Sequence, residues 1–192
     1  MFFKDIEIGT YYTLIELLDS ECNRFKQLIG RKIEAVYCVW EEEANEWYSD
    51  VLVVLKIGDI YLGISNEETE RIDVYWNNVD VEKALPNFDY GDGLELKFKW
   101  TDSYAPFNNL CNKTLIDIEI NEYLHMSKTL YSVKRPESTG ITNHDWLLSG
   151  MSFVTEDSYV CIYNALDENG VSTKRDEDEN FRSYSIKESK YN

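Results

Sequence analysis

Val51-Leu52-Val53-Val54-Leu55-Lys56-Ile57-Gly58-Asp59-Ile60-Tyr61-Leu62-Gly63-Ile64 decides how this chain folds. Val51 to Ile57 is apolar at nearly every position, a pattern that suits either a strand buried on both faces or a buried helix. The flanks choose the strand. Gly58-Asp59 is a two-residue turn of the kind that closes hairpins, and Ile60, Leu62 and Ile64 alternate directly after it.

Further strands extend outward from this hairpin. Leu94, Leu96, Phe98 and Trp100 alternate with Glu95, Lys97 and Lys99, which predicts a half-buried strand. Ile72, Val74 and Trp76 alternate similarly, and Ile116, Ile118 and Ile120 face away from Asp117 and Glu119. Met151 to Asn164 reads as another hairpin, turning near Glu156-Asp157. Only near the N-terminus does the period change. Leu14, Ile15, Leu18, Cys22, Phe25 and Ile29 recur at three- and four-residue intervals, predicting a helix over Thr13–Ile29 that Gly30 stops.

The two hairpins suggest an internal duplication. Leu28-Ile29-Gly30-Arg31-Lys32-Ile33 leads through Val36 and Cys38 to an acidic loop, Trp47-Tyr48 and the hairpin at Asp59. Leu110-Cys111-Asn112-Lys113-Thr114-Leu115 leads through Ile118 and Ile120 to a longer polar loop at Lys128–Asp145, Trp146 and the hairpin at Asp157. Tyr61, Ile64 and Asn66 then correspond to Tyr159, Ile162 and Asn164. The expected class is α+β, predominantly antiparallel β, with an N-terminal helix followed by two similar β-rich modules. These occupy residues 1–101 and 102–192, join near Asp102–Asn109, and are open to packing as one domain.

The opening-strand pattern followed by a hairpin with a short acidic turn, over residues 28–66 and again 110–164, resembles small bacterial proteins that include immunity proteins encoded beside polymorphic toxins. The resemblance implies a β-rich interaction protein and carries no site residues with it.

Composition narrows the function. The 192 residues hold 36 Asp and Glu against 19 Lys and Arg, a formal charge of -17. Gripping nucleic acid through its phosphates needs clustered basic residues, and an anionic membrane repels such a chain. With 43% hydrophobic and 14% aromatic residues the chain is apolar enough to build a core rather than a disordered acidic tail. Charge interrupts the N-terminal Met1–Glu7 before an apolar run of signal length develops, and no stretch approaches a spanning helix, so a cytoplasmic location is expected. Cys22, Cys38, Cys111 and Cys161 show no CxxC pair and read as core thiols.

Catalytic signals are sparse. His125 and His144 are the two histidines and neither has a partner at metal-ligand spacing, so no metal and no cofactor are expected. His144-Asp145 offers half of an acid-base pair, with Trp146 beside it, and a small hydrolase or ligand-binding domain with a pocket between the modules is the alternative reading. Cys111 and Cys161 sit in strand patterns, where burial makes a thiol inert. Gly91-Asp92-Gly93 lacks both the P-loop lysine and the ligand spacing of a calcium loop, and reads as a turn.

The acidic surface remains. Glu41, Glu42, Glu43 and Glu46 stand beside Trp47 and Tyr48 in an expected exposed loop; Glu67, Glu68 and Glu70 form a second run, and Asp176, Glu177, Asp178 and Glu179 a third. Residues 1–100 hold 21 acids and 10 bases, net -11, against net -6 from 15 acids and 9 bases in the remainder. Such a field costs self-repulsion and steers basic partners, while an aromatic within it supplies a desolvated anchor. Asp117 and Glu119 further suggest that a β-surface can display carboxylates at phosphate-like spacing. The expectation is a non-enzymatic acidic protein whose partner is a basic toxin, nuclease or nucleic-acid-binding enzyme. A phage anti-defence inhibitor is the alternative of the same class.

Overall fold

The helical period near the N-terminus produces α1 (Leu14–Lys26). A capping box opens it: Thr13 Oγ1 accepts the Glu16 N–H while the Glu16 carboxylate accepts the Thr13 N–H, satisfying amides that no helical carbonyl can reach. Leu17, Leu18, Cys22 and Phe25 are buried, whereas Ile15, which the period assigns to the buried stripe, is 61% exposed. Ile15 falls on the stripe's rim, and Leu17 occupies the opposite, covered rim.

A computed structural model describes residues 8–66, 70–89, 95–129, 141–166 and 168–191. Met1–Glu7, Glu67, Glu68, Gly91-Asp92-Gly93, Leu94 and Pro136 of the sequence reading lie outside the described residues, as do the side chains of residues 127–129 and 141–144. After β1 (Gly9–Tyr11) and α1 come β2 (Ile33–Glu41), β3 (Glu46–Trp47), β4 (Val53–Ile57), β5 (Ile60–Ser65) and β6 (Ile72–Trp76). Then follow the short pair β7 (Phe88–Asp89) and β8 (Glu95–Leu96), β9 (Phe98–Thr101) and α2 (Ala105–Asn108). The second half supplies β10 (Asp117–Thr129), β11 (Ile141–Val154), β12 (Tyr159–Asn164), β13 (Asn169–Ser172) and β14 (Phe181–Ser185). The class is mostly antiparallel β with few helices. No described helix is long and apolar enough to cross a membrane.

β2, β4, β5 and β6 form an antiparallel meander, with β9 on the far edge of β2 and β1 on β6. Gly58 turns the central hairpin at φ +62°, a conformation that a Cβ would strain. The apolar run Val51–Ile57 is buried on both faces. Val53, Leu55 and Ile57 join the main core, and Val51, Leu52 and Val54 join a smaller cluster with Val39, Tyr75, Val79 and Phe98. This two-sided covering also corrects the simple alternation expected at Ile72–Trp76, where Asp73 and Tyr75 are buried as well. The strand expected across Leu94–Trp100 breaks at Lys97, its two parts pairing with different partners.

In the second half, β10, β11, β12 and β13 form an antiparallel meander, and β14 lies on the far edge of β10. Several ladder pairs of the two meanders can be set side by side. Val36↔Leu55 and Tyr37↔Val54 have counterparts in Ile118↔Phe153 and Glu119↔Ser152. Leu55↔Leu62 and Ile64↔Val74 answer Phe153↔Val160 and Ile162↔Val171. On the far edge, Trp40↔Lys99 and Glu41↔Phe98 answer Glu122↔Arg182 and Tyr123↔Phe181.

The turns opening the two meanders hold each other. Gly30 N–H donates to Leu115 O (2.8 Å) and Asn112 N–H to Ile33 O (2.7 Å); Ile33 N–H donates to Lys113 O (2.8 Å) and Leu115 N–H to Arg31 O (2.9 Å). Lys32↔Thr114 bridges at the centre of this reciprocal pattern. Gly30 and Asn112, eight strands apart but alike in setting, both take positive φ, +87° and +66°. Arg31 pairs with Asp59 at the first hairpin turn (3.1 Å) and Lys113 with Asp157 at the second (2.8 Å).

One apolar cluster draws on the junction Asp102–Asn109 and both sides of it: Phe25, Leu28 and Ile33 from the first half, Phe107 from the junction, and Leu110 and Leu115 from the second half. The junction itself is helical, with Pro106 in the first turn of α2, where its missing N–H has no helical acceptor to lose. Full burial of each phenylalanine favours the fold by about 2–3 kcal/mol. Cys22, Cys38 and Cys161 are buried free thiols, but Cys111 is only half-buried. Ile116 precedes β10 and is 37% exposed, correcting its assignment to the buried face.

Candidate partner-binding surface

The acidic segment expected as an exposed loop is a short hairpin. β2 runs to Glu41, residues 42–45 turn, with Asn45 at φ +56°, and β3 returns. Trp40 pairs with Trp47 and Glu41 with Glu46. Directly opposed residues share a face, so the tryptophans lie on one side of the hairpin and the two carboxylates on the other.

Both aromatics chosen from the sequence point inward. Trp47 packs against Tyr104 (5.3 Å between centroids) and edge-on against Phe107 (5.7 Å), and Tyr48 packs against Phe98 (4.8 Å) in the smaller cluster. They therefore hold the hairpin to the body from opposite sides instead of waiting as free anchors. Trp47 Nε1 is buried with no acceptor among the described residues, which costs roughly 1–3 kcal/mol. Trp40 is half-buried like Trp47 and Tyr48, and its Nε1–H donates to Asn45 Oδ1 (3.2 Å), fixing ring and turn together. Trp40 and Tyr104, 6.2 Å apart, line an open groove of about 530 Å³ with Asn45, Lys99, Thr101 and Ser103. Lys99 pairs with Glu42 (3.2 Å) at its rim. Glu43 and Glu46 are exposed and Glu41 is half-buried.

Glu41 and Glu46 stand opposite each other with no cation between them in the described contacts. Like charges in that position destabilise a strand pair. The packing of Trp47 and Tyr48 outweighs that repulsion.

The third run, Asp176–Glu179, is exposed and held at both ends. Arg175 donates two hydrogen bonds to the buried Glu119 carboxylate (2.7 and 2.6 Å) and lies over the Tyr159 ring. Arg182 Nε donates to the buried Glu122 (2.6 Å), its guanidinium 4.1 Å from the Trp146 ring centroid. Within the run, Asp176 accepts the Asp178 N–H and Asp178 the Asn180 N–H. Of the second run only Glu70 is described, half-buried with φ +67°. Among the described acidic residues, Glu41, Glu42, Glu43 and Glu46 lie on one hairpin, apart from Glu70 and from Asp176–Glu179.

Asp117 and Glu119 do not display carboxylates outward. Asp117 accepts from Ser185 Oγ and the Lys187 N–H, and Glu119 is committed to Arg175, because a carboxylate taken into a sheet face needs donors to offset desolvation.

The polar loop expected at Lys128–Asp145 includes strand at both ends. His144 pairs in register with Met126 and Asp145 with His125 across β10 and β11, and Trp146 carries Arg182. A second open groove, beside Asn109 and residues 155–159, likewise contains none of these residues. Burial pushes the Cys38 thiol up to about 12 and raises Cys111 and Cys161 as well, and Asn121 Nδ2 donates to Cys161 Sγ. All three thiols are held protonated, against nucleophilic use.

Sequence reasoning missed Trp40, Asn45, Lys99 and Tyr104. Trp40 reads as one more member of the β2 alternation, and only the Trp40↔Trp47 register shows that the two indoles share a face. Compared with known protein families, curated proteins and solved structures, the chain matches none.

Proposed function

We propose that this is a non-enzymatic acidic interaction protein of the immunity or inhibitor type, which blocks a basic toxin or nuclease in the cytoplasm. The observation that carries the reading is the Glu41–Glu46 hairpin: carboxylates held opposite one another against their own repulsion, on a platform that two half-buried aromatics pin to the body. Such an arrangement lowers stability unless a cationic surface relieves it. A nuclease cleft is positive because its substrate is not, so a fixed set of carboxylates enters it where phosphates would. The net charge of -17 speeds the encounter.

We also read the two meanders as copies of one unit. Shared strand order, matching registers, reciprocal opening turns and the Arg31–Asp59 and Lys113–Asp157 pairs support this.

The test uses the product of an adjoining gene that encodes a basic toxin or nuclease. Affinity is measured at low and raised salt for the wild type and for Glu41→Gln/Glu42→Gln/Glu43→Gln/Glu46→Gln. The expected outcome is steep salt dependence and at least tenfold weaker binding by the variant. Tight binding indifferent to both would defeat the proposal.

A further inference from the structure

The molecule uses one device repeatedly to seat its own arginines: an aromatic ring beneath and a carboxylate behind. Arg24 lies 4.2 Å from the Trp76 ring centroid and pairs with Glu21. Arg182 does the same on Trp146 with Glu122, and Arg175 on Tyr159 with Glu119. Ring quadrupole and carboxylate act together on a planar cation, and the fork geometry of guanidinium suits both.

Trp40 and Glu42 present the same two components at the open groove. Trp40 is fixed by its bond to Asn45, and Glu42 reaches Lys99 at the rim. In the second half the residues at the positions of Trp40 and Lys99 are Glu122 and Arg182, so the same point in the sheet already carries a seated arginine there. The Lys99–Glu42 pair is loose. At 56% and 42% side-chain exposure it is worth little in water and exchanges readily for a better cation. Resting on the inhibitor reading above, we propose that the Trp40–Tyr104 groove receives an arginine side chain of the basic partner, stacked on Trp40 and paired with Glu42 in place of Lys99. Glu41, Glu43 and Glu46 form the surrounding anionic field.

The experiment uses a fluorescein-labelled hexa-arginine peptide, with hexa-citrulline as its neutral isostere, titrated by anisotropy onto the full chain at low and raised salt. The groove predicts arginine binding five- to tenfold tighter than Trp40→Ala allows, with circular dichroism confirming that the variant folds. It also predicts that Lys99→Ala tightens binding severalfold, while Lys97→Ala, the same change in net charge two residues away, has a smaller effect. Equal binding by wild type, Trp40→Ala and Lys99→Ala, with loss on neutralising Glu41, Glu42, Glu43 and Glu46, would overturn the groove while leaving the acidic-inhibitor reading in place. Indifference to those four substitutions as well would remove both. Saturation by free L-arginine as tight as by the peptide would make the groove a small-molecule site and overturn docking.

Discussion

Residues 28–101 carry the β2-β4-β5-β6 meander with β9 on its edge and residues 110–185 the β10-β11-β12-β13 meander with β14 on its edge, and the two differ where the first meander strand hands over to the second. In the first half that passage is the acidic hairpin between β2 and β4; in the second it is the ribbon of β10 and β11, which pairs from Asp117 to Thr129. The ladder positions that agree are mostly buried apolar residues, and the ones that differ are exposed or polar. Packing thus constrains the shared part, and the connections are free to carry a task. The interiors differ too. Tyr37 stands where the second half has Glu119, and Val39 where it has Asn121, so the second sheet holds a polar network of Asn121, Ser152, Ser183 and the Glu119–Arg175 pair that the first lacks.

The comparison breaks most visibly if the halves unfold separately. Phe25→Ala and Phe107→Ala occupy matching places in one shared core, so each is expected to cost about 3–5 kcal/mol and to shift a single cooperative urea transition. Two transitions, or one half insensitive to the other's substitution, would show separate domains.

Next in size is the polar interior. Arg175→Ala leaves the buried Glu119 carboxylate without its partner and is expected to destabilise by about 2–3 kcal/mol, whereas Tyr37→Phe at the matching position stays within about 0.5 kcal/mol. Equal effects would mean that the two interiors are not the point of divergence. Chemical denaturation of both variants decides.

Smaller again are the opening turns. A Cβ at Gly30 meets nothing within 4 Å, so Gly30→Ala isolates the cost of positive φ, about 1 kcal/mol, and Asn112→Ala should cost the same. Exchanging the residues, Gly30→Asn and Asn112→Gly, should change little, since both tolerate the left-handed region. Thermal melts of the four variants test whether the turns are equivalent.

The smallest effect is electrostatic. The Lys113 ammonium holds the Asp157 carboxyl below its ordinary value of 3.8. A depressed carboxylate adds stability at pH above that ordinary value and loses it as pH falls through the depressed one. Lys113→Ala should therefore raise the Asp157 titration midpoint, read by NMR, with no measurable shift in melting temperature at neutral pH.

Much of this architecture is legible in local patterns. Gly58-Asp59 between apolar runs marks a hairpin because turn chemistry and alternation act over a few residues, and the three- and four-residue apolar period after Thr13 marks the helix for the same reason. The exposed Ile15 and covered Leu17 are not legible, because tertiary docking selects which side of a broad stripe is buried. The candidate surface was legible as charge but not as geometry. Glu41 to Glu46 stand out in composition, while the role of Trp40 depends on strand register and on Tyr104, far along the chain. Glu119 reads as an exposed carboxylate until Arg175, 56 residues on, is brought over it. Local pattern holds no information about such distant pairings.

The reciprocal bridge between Lys32 and Thr114 also sets an order of events during synthesis. Ile33 emerges before its hydrogen-bonding partners at Asn112 and Lys113, and at ribosomal speeds the roughly 80 intervening residues take about 4–16 s to appear. For that interval Leu28 and Ile33 lack the second half of the core that covers them. The nascent first half is therefore the stage at which this chain is exposed to aggregation and most dependent on chaperones, and completion of the second opening turn is the step that ends it.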